Sequence, residues 1–273
     1  MEVQIYTIDA FTRVPFQGNP AAVTVVKKFP SDRLMQQIAA EINLSETAFA
    51  QELAPNQFQL RWFTPQSEVE LCGHATLAMS HFLRETGKID PSSPLIFHTL
   101  GGTLTVEFEH EQVVMDFPAN FPVPCTPRTL EQLAQLFTTE FEVIGRTDNI
   151  TVRLLNEQAV ASFIPNFDQI NQLEIGRLCL TAIADPGKNY DFVSRFFAPS
   201  VGINEDPVTG SAHCTLAPYW AQVLNQNPLR AWQLSPRGGE LTVAWQGDRV
   251  KLTGCAVSVL RGTLILNPLD FDI

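Results

Sequence analysis

The sequence predicts an α+β protein of two similar lobes, each a curved mixed or antiparallel, barrel-like sheet around a central helix, related by a pseudo-twofold internal repeat. Two observations predict it. The chain nearly repeats itself at about half its length. Gly101-Gly102-Thr103-Leu104-Thr105-Val106 returns as Gly238-Gly239-Glu240-Leu241-Thr242-Val243, and Arg61-Trp62-Phe63-Thr64-Pro65 returns as Arg195-Phe196-Phe197-Ala198-Pro199. Gly73-His74-Ala75-Thr76-Leu77-Ala78 is echoed from Gly210 through His213-Cys214-Thr215-Leu216-Ala217. In addition, each half sets one apolar helical stretch among short strands, which implies a sheet curled around that helix. The expected lobes are 1–117 and 118–273, with the last strand able to cross back to the first lobe. A cleft between two lobes is a favoured place for a small ligand.

Each element follows from local pattern. Val3–Ile8 alternates as a strand, Arg13–Pro20 is a Gly/Pro/Asn loop, and Ala21–Val26 reads as the return strand of an antiparallel pair. Ser31 and Asp32 can cap a helix running to about Glu41, with Leu34, Ile38 and Ala39 on one face. Ser45–Ala50 and Phe58–Phe63 read as strands, and Leu71–Glu85 as a helix buried on most sides. Leu95–Phe97, Gly102–Phe108 and Val113–Phe117 are further strands, and Pro118–Pro127 is the best linker candidate. The second lobe reads as a helix at Leu130–Phe137, strands at Phe141–Leu155 and Ala159–Ile164, and a helix at Asn166–Cys179. Then come a strand at Phe192–Ala198 and a helix at Ser211–Leu224, interrupted near Pro218. Strands at Gly239–Ala244, Arg249–Leu252 and Ala256–Leu266 finish the chain.

Composition excludes several classes of function. The 273 residues are enough for two domains, and 45% are hydrophobic, which supports a real core. A formal net charge of −11 without a basic cluster argues against a nucleic-acid partner. Five cysteines, odd in number and without C-x-x-C spacing, argue against a disulfide framework and a structural zinc site. No secretory signal and no apolar run of membrane-spanning length is visible, so a reduced, cytoplasmic protein without a membrane partner is expected. There is no G-x-G-x-x-G or P-loop, no lysine in a Schiff-base setting, and no cluster of ligands at metal-binding spacing. The expectation is acid–base chemistry with no cofactor and no metal.

Two stretches open the matching apolar helices: Cys72-Gly73-His74 and Asp206-Pro207-Val208-Thr209-Gly210-Ser211. A glycine there exposes backbone N–H groups, and the helix N-terminus favours a carboxylate. Singly, such glycines more often only start helices; it is their repetition that points to an anion site. Glu46 stands in the apolar run Leu44-Ser45-Glu46-Thr47-Ala48-Phe49. Burial there would suit it to proton transfer near neutral pH; equally, it is a glutamate on a turn capped by Ser45. His74 and Asp206, at the helix starts, can hold a polar substrate group or pass a proton. His213 reads as a packing residue, and Glu68 and Glu70 as solvated loop residues. Cys72 is either an activated thiol at a helix start or a small buried residue.

At these residues the chain resembles the PhzF-like family of phenazine biosynthesis, within the diaminopimelate epimerase/proline racemase superfamily. The motifs are Asp9-Ala10-Phe11-Thr12 with Phe16-Gln17-Gly18-Asn19-Pro20-Ala21, Ser45-Glu46-Thr47-Ala48-Phe49, and Arg61-Trp62-Phe63-Thr64-Pro65. Glu70-Leu71-Cys72-Gly73-His74-Ala75-Thr76 and Asn204-Glu205-Asp206-Pro207-Val208-Thr209-Gly210-Ser211-Ala212 complete them. The resemblance implies a diaminopimelate epimerase-like fold with the active site between the lobes, and a homodimer. It implies that Glu46 moves a proton, as in the isomerase of trans-2,3-dihydro-3-hydroxyanthranilate that names the family. It implies that His74 and Asp206 hold and polarise a small carboxylate substrate, with Gly73, Gly210, Ser211 and Asn19 in contact with it. The superfamily's racemases use two thiols; here Cys72 stands at the first position but Thr209 at the second, which disfavours that chemistry. A non-catalytic small-molecule binder or interaction protein, and a one-thiol epimerase using Cys72 with Glu46, stay open as alternatives.

Overall fold

The computed structural model describes residues 2–266. Met1 and residues 267–273, the outermost ends of the two expected lobes, lie outside the described residues. The chain divides into two compact units, 1–116 with 253–273, and 117–252. Among the described residues no helix is long and apolar enough to cross a membrane.

The first unit begins with β1 (Glu2–Ala10) and β2 (Asn19–Val26), an antiparallel pair. Their connection is tight. Phe11 and Phe16 adopt left-handed backbone conformations, and the buried Asp9 carboxylate accepts the Phe16 N–H at 2.7 Å. Gly18 is required there, because it has φ +67° and a Cβ would lie 2.1 Å from the Ala10 carbonyl oxygen. Next comes α1 (Asp32–Ile42), whose N-cap Ser31 accepts the Leu34 N–H at 3.3 Å. Its Leu34, Met35, Ile38 and Ala39 pack with Ile5, Ala22, Phe49 and Phe63. The unit continues through β3 (Glu46–Ala54), β4 (Gln57–Phe63), the two-residue β5 (Glu68–Val69) and α2 (Gly73–Glu85), then β6 (Leu95–Thr99), β7 (Gly102–Glu109) and β8 (Gln112–Pro118). Helix α2 is buried nearly all round and packs on β1, β2 and β3.

The second unit contains α3 (Pro127–Leu136), β9 (Phe141–Arg146), β10 (Ile150–Leu154), α4 (Glu157–Ala161), α5 (Phe167–Asn171), β11 (Leu178–Ile183) and β12 (Phe192–Ala198). It goes on with β13 (Ile203–Asp206), α6 (Gly210–Leu224), β14 (Leu229–Gln233), β15 (Gly239–Gln246) and β16 (Arg249–Gly254). The last strand, β17 (Ala256–Ile265), pairs antiparallel with β1 in the first unit. The core of the second unit gathers Ile150, Val152, Leu178, Leu180, Val193 and Phe197.

Strand pairing runs through the same series in both units. β1–β2 is antiparallel, β2–β3 parallel, β3–β4 and β4–β5 antiparallel, β4–β6 parallel and β6–β7 antiparallel. In the second unit β9–β10 is antiparallel, β10–β11 parallel, β11–β12 and β12–β13 antiparallel, β12–β14 parallel and β14–β15 antiparallel. The sequence echoes fall at equivalent places: on β4 and β12, at the starts of α2 and α6, and on β7 and β15.

The same side-chain device recurs with them. Arg61 of β4 forms a two-bond ion pair with Glu68 of β5, Nε to Oε1 at 2.6 Å and Nη2 to Oε2 at 2.7 Å. Arg195 of β12 does so with Glu205 of β13, at 2.8 and 3.0 Å. Each guanidinium also lies over a phenylalanine two residues on, Phe63 at 5.2 Å and Phe197 at 4.9 Å from the ring centre. Arg195 adds bonds to the Val160, Ala161 and Phe163 carbonyls. The planar fork of arginine suits this bidentate grip, which lysine cannot reproduce.

Several expectations for the second half are corrected. Phe141–Leu155 is two strands, β9 and β10, because Thr147-Asp148-Asn149 makes a turn in which the Thr147 N–H reaches the Asn149 carbonyl at 2.8 Å. The segment read as a strand at Ala159–Ile164 is the end of helix α4, capped by Asn156, which accepts the Ala159 N–H. Helix Asn166–Cys179 shrinks to α5, and the run Leu178-Cys179-Leu180 belongs to the buried strand β11. Short apolar runs fit a buried strand as well as a helix, so periodicity alone could not separate them. Helix α3 starts at Pro127, inside the expected linker, with Thr126 as cap and proline at a first-turn position that needs no N–H. The linker also forms a β-bridge between Val123 and Arg146. Glu68 is not a solvated loop residue; it lies on β5, clasped by Arg61.

Helix α6 runs unbroken through Pro218. Proline cannot supply the N–H that the Cys214 carbonyl would normally accept. That carbonyl accepts the Asn120 N–H at 3.1 Å instead, so the interruption expected at Pro218 is avoided.

The two arginine pairs differ in burial, and so should their energetic effects. Arg195 is more buried and holds three further carbonyls, whereas Arg61 has the exposed Asp32 as its additional partner. Arg195→Ala strands the half-buried Glu205 carboxylate and should cost about 2–3 kcal/mol, and Arg61→Ala less. Urea unfolding midpoints check the order; equal losses would contradict it.

Candidate active site

The start of α2 collects three groups. His74 is the second residue of the helix and is buried. Its Nε2 lies 3.2 Å from Oε2 of Glu46, the first residue of β3, and its Nδ1 lies 3.5 Å from Sγ of Cys72, the helix N-cap. A neutral imidazole has one proton: if the thiol donates to Nδ1, that proton sits on Nε2, whose 3.2 Å approach to Glu46 lacks hydrogen-bond geometry. Burial holds His74 in that neutral state by pushing its pKa down to about 3. Asn19 opens β2 and is fully buried. Because Ala21 is the register partner of Glu46, Asn19 and Glu46 project from the same face of the β2–β3 pair.

The start of α6 repeats the backbone with different chemistry. Asp206 ends β13, and its Oδ2 accepts the Thr209 hydroxyl at 2.5 Å. The fully buried Gln233 of β14 pins the turn from both sides: its Oε1 accepts the Thr209 N–H at 2.9 Å, and its Nε2 donates to the Asp206 carbonyl at 2.7 Å. His213 Nδ1 contacts the Thr209 carbonyl at 2.7 Å, with Ser194 Oγ 3.4 Å from Nε2. In the first unit Thr76 plays the matching part, donating its hydroxyl to the Cys72 carbonyl at 2.6 Å. Gly210 and Ser211 are the first two residues of α6.

Both helices begin without a side-chain cap. The other four α-helices are capped by Ser31, Thr126, Asn156 and Asn166. The two central helices thus present first-turn N–H groups that no cap side chain accepts from, a setting that suits an anion.

Glu46, Gly73, His74 and Asn19 therefore lie in the first unit, with Glu46 and His74 in contact. Asp206, Gly210 and Ser211 lie together in the second. Sequence reasoning did not single out Gln233 or Ser194, since each acts through a partner far along the chain. His213, read as a packing residue, is indeed buried.

This strand series with an uncapped central helix is the fold of the proline racemase and diaminopimelate epimerase class. A probable proline racemase from Agrobacterium radiobacter K84 shares it at a TM-score of 0.63 and 13% identity, over 98% of this chain and 94% of that one. The family model for phenazine biosynthesis-like protein matches residues 8–262, and the chain belongs to that PhzC-PhzF family. A PhzF-family crystal structure from Enterococcus faecalis is 39% identical with a TM-score of 0.88, covering 97% of this chain and 100% of its own. A Pseudomonas aeruginosa protein named as an uncharacterized isomerase is 45% identical, over 98% of this chain and 100% of its own length. The human phenazine biosynthesis-like domain-containing protein is 40% identical, over 97% and 99%.

Two buried neutral histidines make stability depend on pH. Burial lowers the pKa of His74 to about 3 and of His213 to about 4, from 6.5. The unfolded chain takes up protons below pH 6.5 that the folded chain refuses, so stability is full above that pH and falls as pH drops toward 4. Each histidine should cost about 2 kcal/mol at pH 5. His213→Gln should flatten the decline in Tm between pH 7 and 5; an unchanged slope would show that His213 takes no part.

Proposed function

We propose that the protein is a cofactor-independent isomerase of a small carboxylic acid, with Glu46 as the proton-transfer group. The observation that carries this reading is the contact at 3.2 Å between Glu46 and the buried, neutral His74 at an uncapped helix start. The substrate carboxylate binds at helix-start N–H groups. Glu46 removes a proton from an acidic C–H. The electron pair of that bond moves into conjugation with the neighbouring unsaturated group, and His74 stabilises the charge on oxygen by donating a hydrogen bond. Glu46 then returns the proton to a different carbon on the same face. Asp206, Gly210 and Ser211 keep the substrate-holding roles that the family resemblance implies. Relatives named as isomerases support the reaction class. The substrate is a cyclic or unsaturated acid of the trans-2,3-dihydro-3-hydroxyanthranilate type.

A two-thiol racemase reaction fits poorly. The position equivalent to Cys72 in the repeat is Thr209, a hydroxyl already committed to Asp206. One-thiol catalysis by Cys72 is tested by Cys72→Ser, in which turnover should persist.

The decisive experiment is incubation in D₂O with 2,3-dihydro-3-hydroxyanthranilate and a panel of small carboxylic and amino acids, followed by NMR. Isomerised, deuterated product is expected. Glu46→Gln should lower turnover by at least about 10²–10⁴-fold with ligand binding intact. Full turnover in that variant would reject the role of Glu46. Binding without any deuterium entering the ligand would favour a non-catalytic binding protein.

A further inference from the structure

Cys72, His74 and Glu46 also carry side chains of the types that bind metals. Their ligand atoms all lie within 4.8 Å of one another, and among the described residues no other group of Cys, His and carboxylate ligands does so. Composition and spacing had argued against such a site, because Cys72-Gly73-His74 supplies only two ligands and the third comes from another strand.

We propose that this cluster binds one thiophilic divalent cation, of which Zn²⁺ is the type, through Cys72 Sγ, one ring nitrogen of His74 and one carboxylate oxygen of Glu46. Tetrahedral zinc with bonds of about 2.0–2.3 Å holds its ligand atoms about 3.3–3.6 Å apart. For either choice of nitrogen one separation already matches: 3.5 Å to Cys72 for a metal on Nδ1, or 3.2 Å to Glu46 for a metal on Nε2. The ligand atoms lie within 4.8 Å of one another, so the remaining separations must close by up to about 1.5 Å, which is within the reach of a side-chain rotation.

Charge favours the same reading. One Zn²⁺, one thiolate and one carboxylate sum to zero, so the buried site gains no net charge. The thiol proton leaves to solvent as the Zn–S bond forms, and a helix start lowers the cost of the thiolate. His74 is already neutral and needs no deprotonation. Three protein ligands leave a fourth position for water. A metal held there occupies the atoms assigned to proton transfer, so it blocks turnover rather than assisting it; this last consequence alone rests on the proposed function.

The test is direct binding, read without any substrate. Reduced protein stripped with a chelator is titrated with Co²⁺. A one-to-one complex with a cobalt–thiolate charge-transfer band and tetrahedral visible bands is expected, displaced by Zn²⁺. The band should vanish in Cys72→Ser. Zn²⁺ affinity in Glu46→Gln should fall by more than the 10–100-fold that loss of an outer-shell partner typically costs, with circular dichroism confirming that both variants fold. No thiolate band, or a band that survives Cys72→Ser, would overturn the site. If cobalt binds this way while no ligand is isomerised, the metal site stands and the isomerase reading fails. If turnover is found, Zn²⁺ should suppress it and a chelator restore it; zinc-insensitive turnover would overturn the blocking role.

Discussion

An arginine gripping a glutamate across adjacent strands, once in each unit, is the constraint on which the rest of the structure depends. Arg61–Glu68 and Arg195–Glu205 tie β4 to β5 and β12 to β13. From each of those short strands the chain passes within a few residues into a buried helix. A two-residue strand such as β5 has little ladder of its own, so the fork of the guanidinium supplies the register. Phenylalanine beneath each guanidinium limits its rotamers and excludes water from one side. The direction in which α2 and α6 start, and hence the position of every candidate site residue on them, follows from this grip.

Equal backbones then carry unequal chemistry. In both units the N-cap carbonyl accepts a side-chain donor four residues on, Thr76 in one and His213 in the other. The N-cap itself is a thiol in one and a hydroxyl in the other. Around Thr209 the surroundings are polar and fully engaged, with Gln233, Asp206 and His213 each bonded to it. Around Cys72 a thiol, an imidazole and a carboxylate lie side by side, at 3.5 and 3.2 Å. The two units diverge at the cap because the strand framework is indifferent to which polar group sits there.

How much was legible varied with the local signal. In the first unit the expected strands and helices match closely, because alternation is clean on β1 and β4 and Ser31 announces α1. Cys72-Gly73-His74 was readable as a helix start, since glycine precedes a long apolar run. In the second unit α4 and β11 were misread, for their apolar runs are too short to carry a period. Pro218 misled for a better reason. Its cost is real, but the Asn120 N–H relieves it, and nothing in the local sequence reports a donor so far away along the chain.

Sequence by itself determined the repeat, the α+β class, the candidate residues Glu46, His74 and Asp206, and the family motifs, because these are carried by residues in fixed local order. Tertiary structure decided which of them touch. The contact of Glu46 with His74 and Cys72 joins the first residue of β3 to the start of α2, and the clasp of Gln233 joins β14 to the turn before α6. Such contacts rest on strand register and packing, which depend on segments far apart in the chain. The neutrality of His74 and His213 belongs to the same level, since desolvation is a property of the packed surroundings and not of the residue.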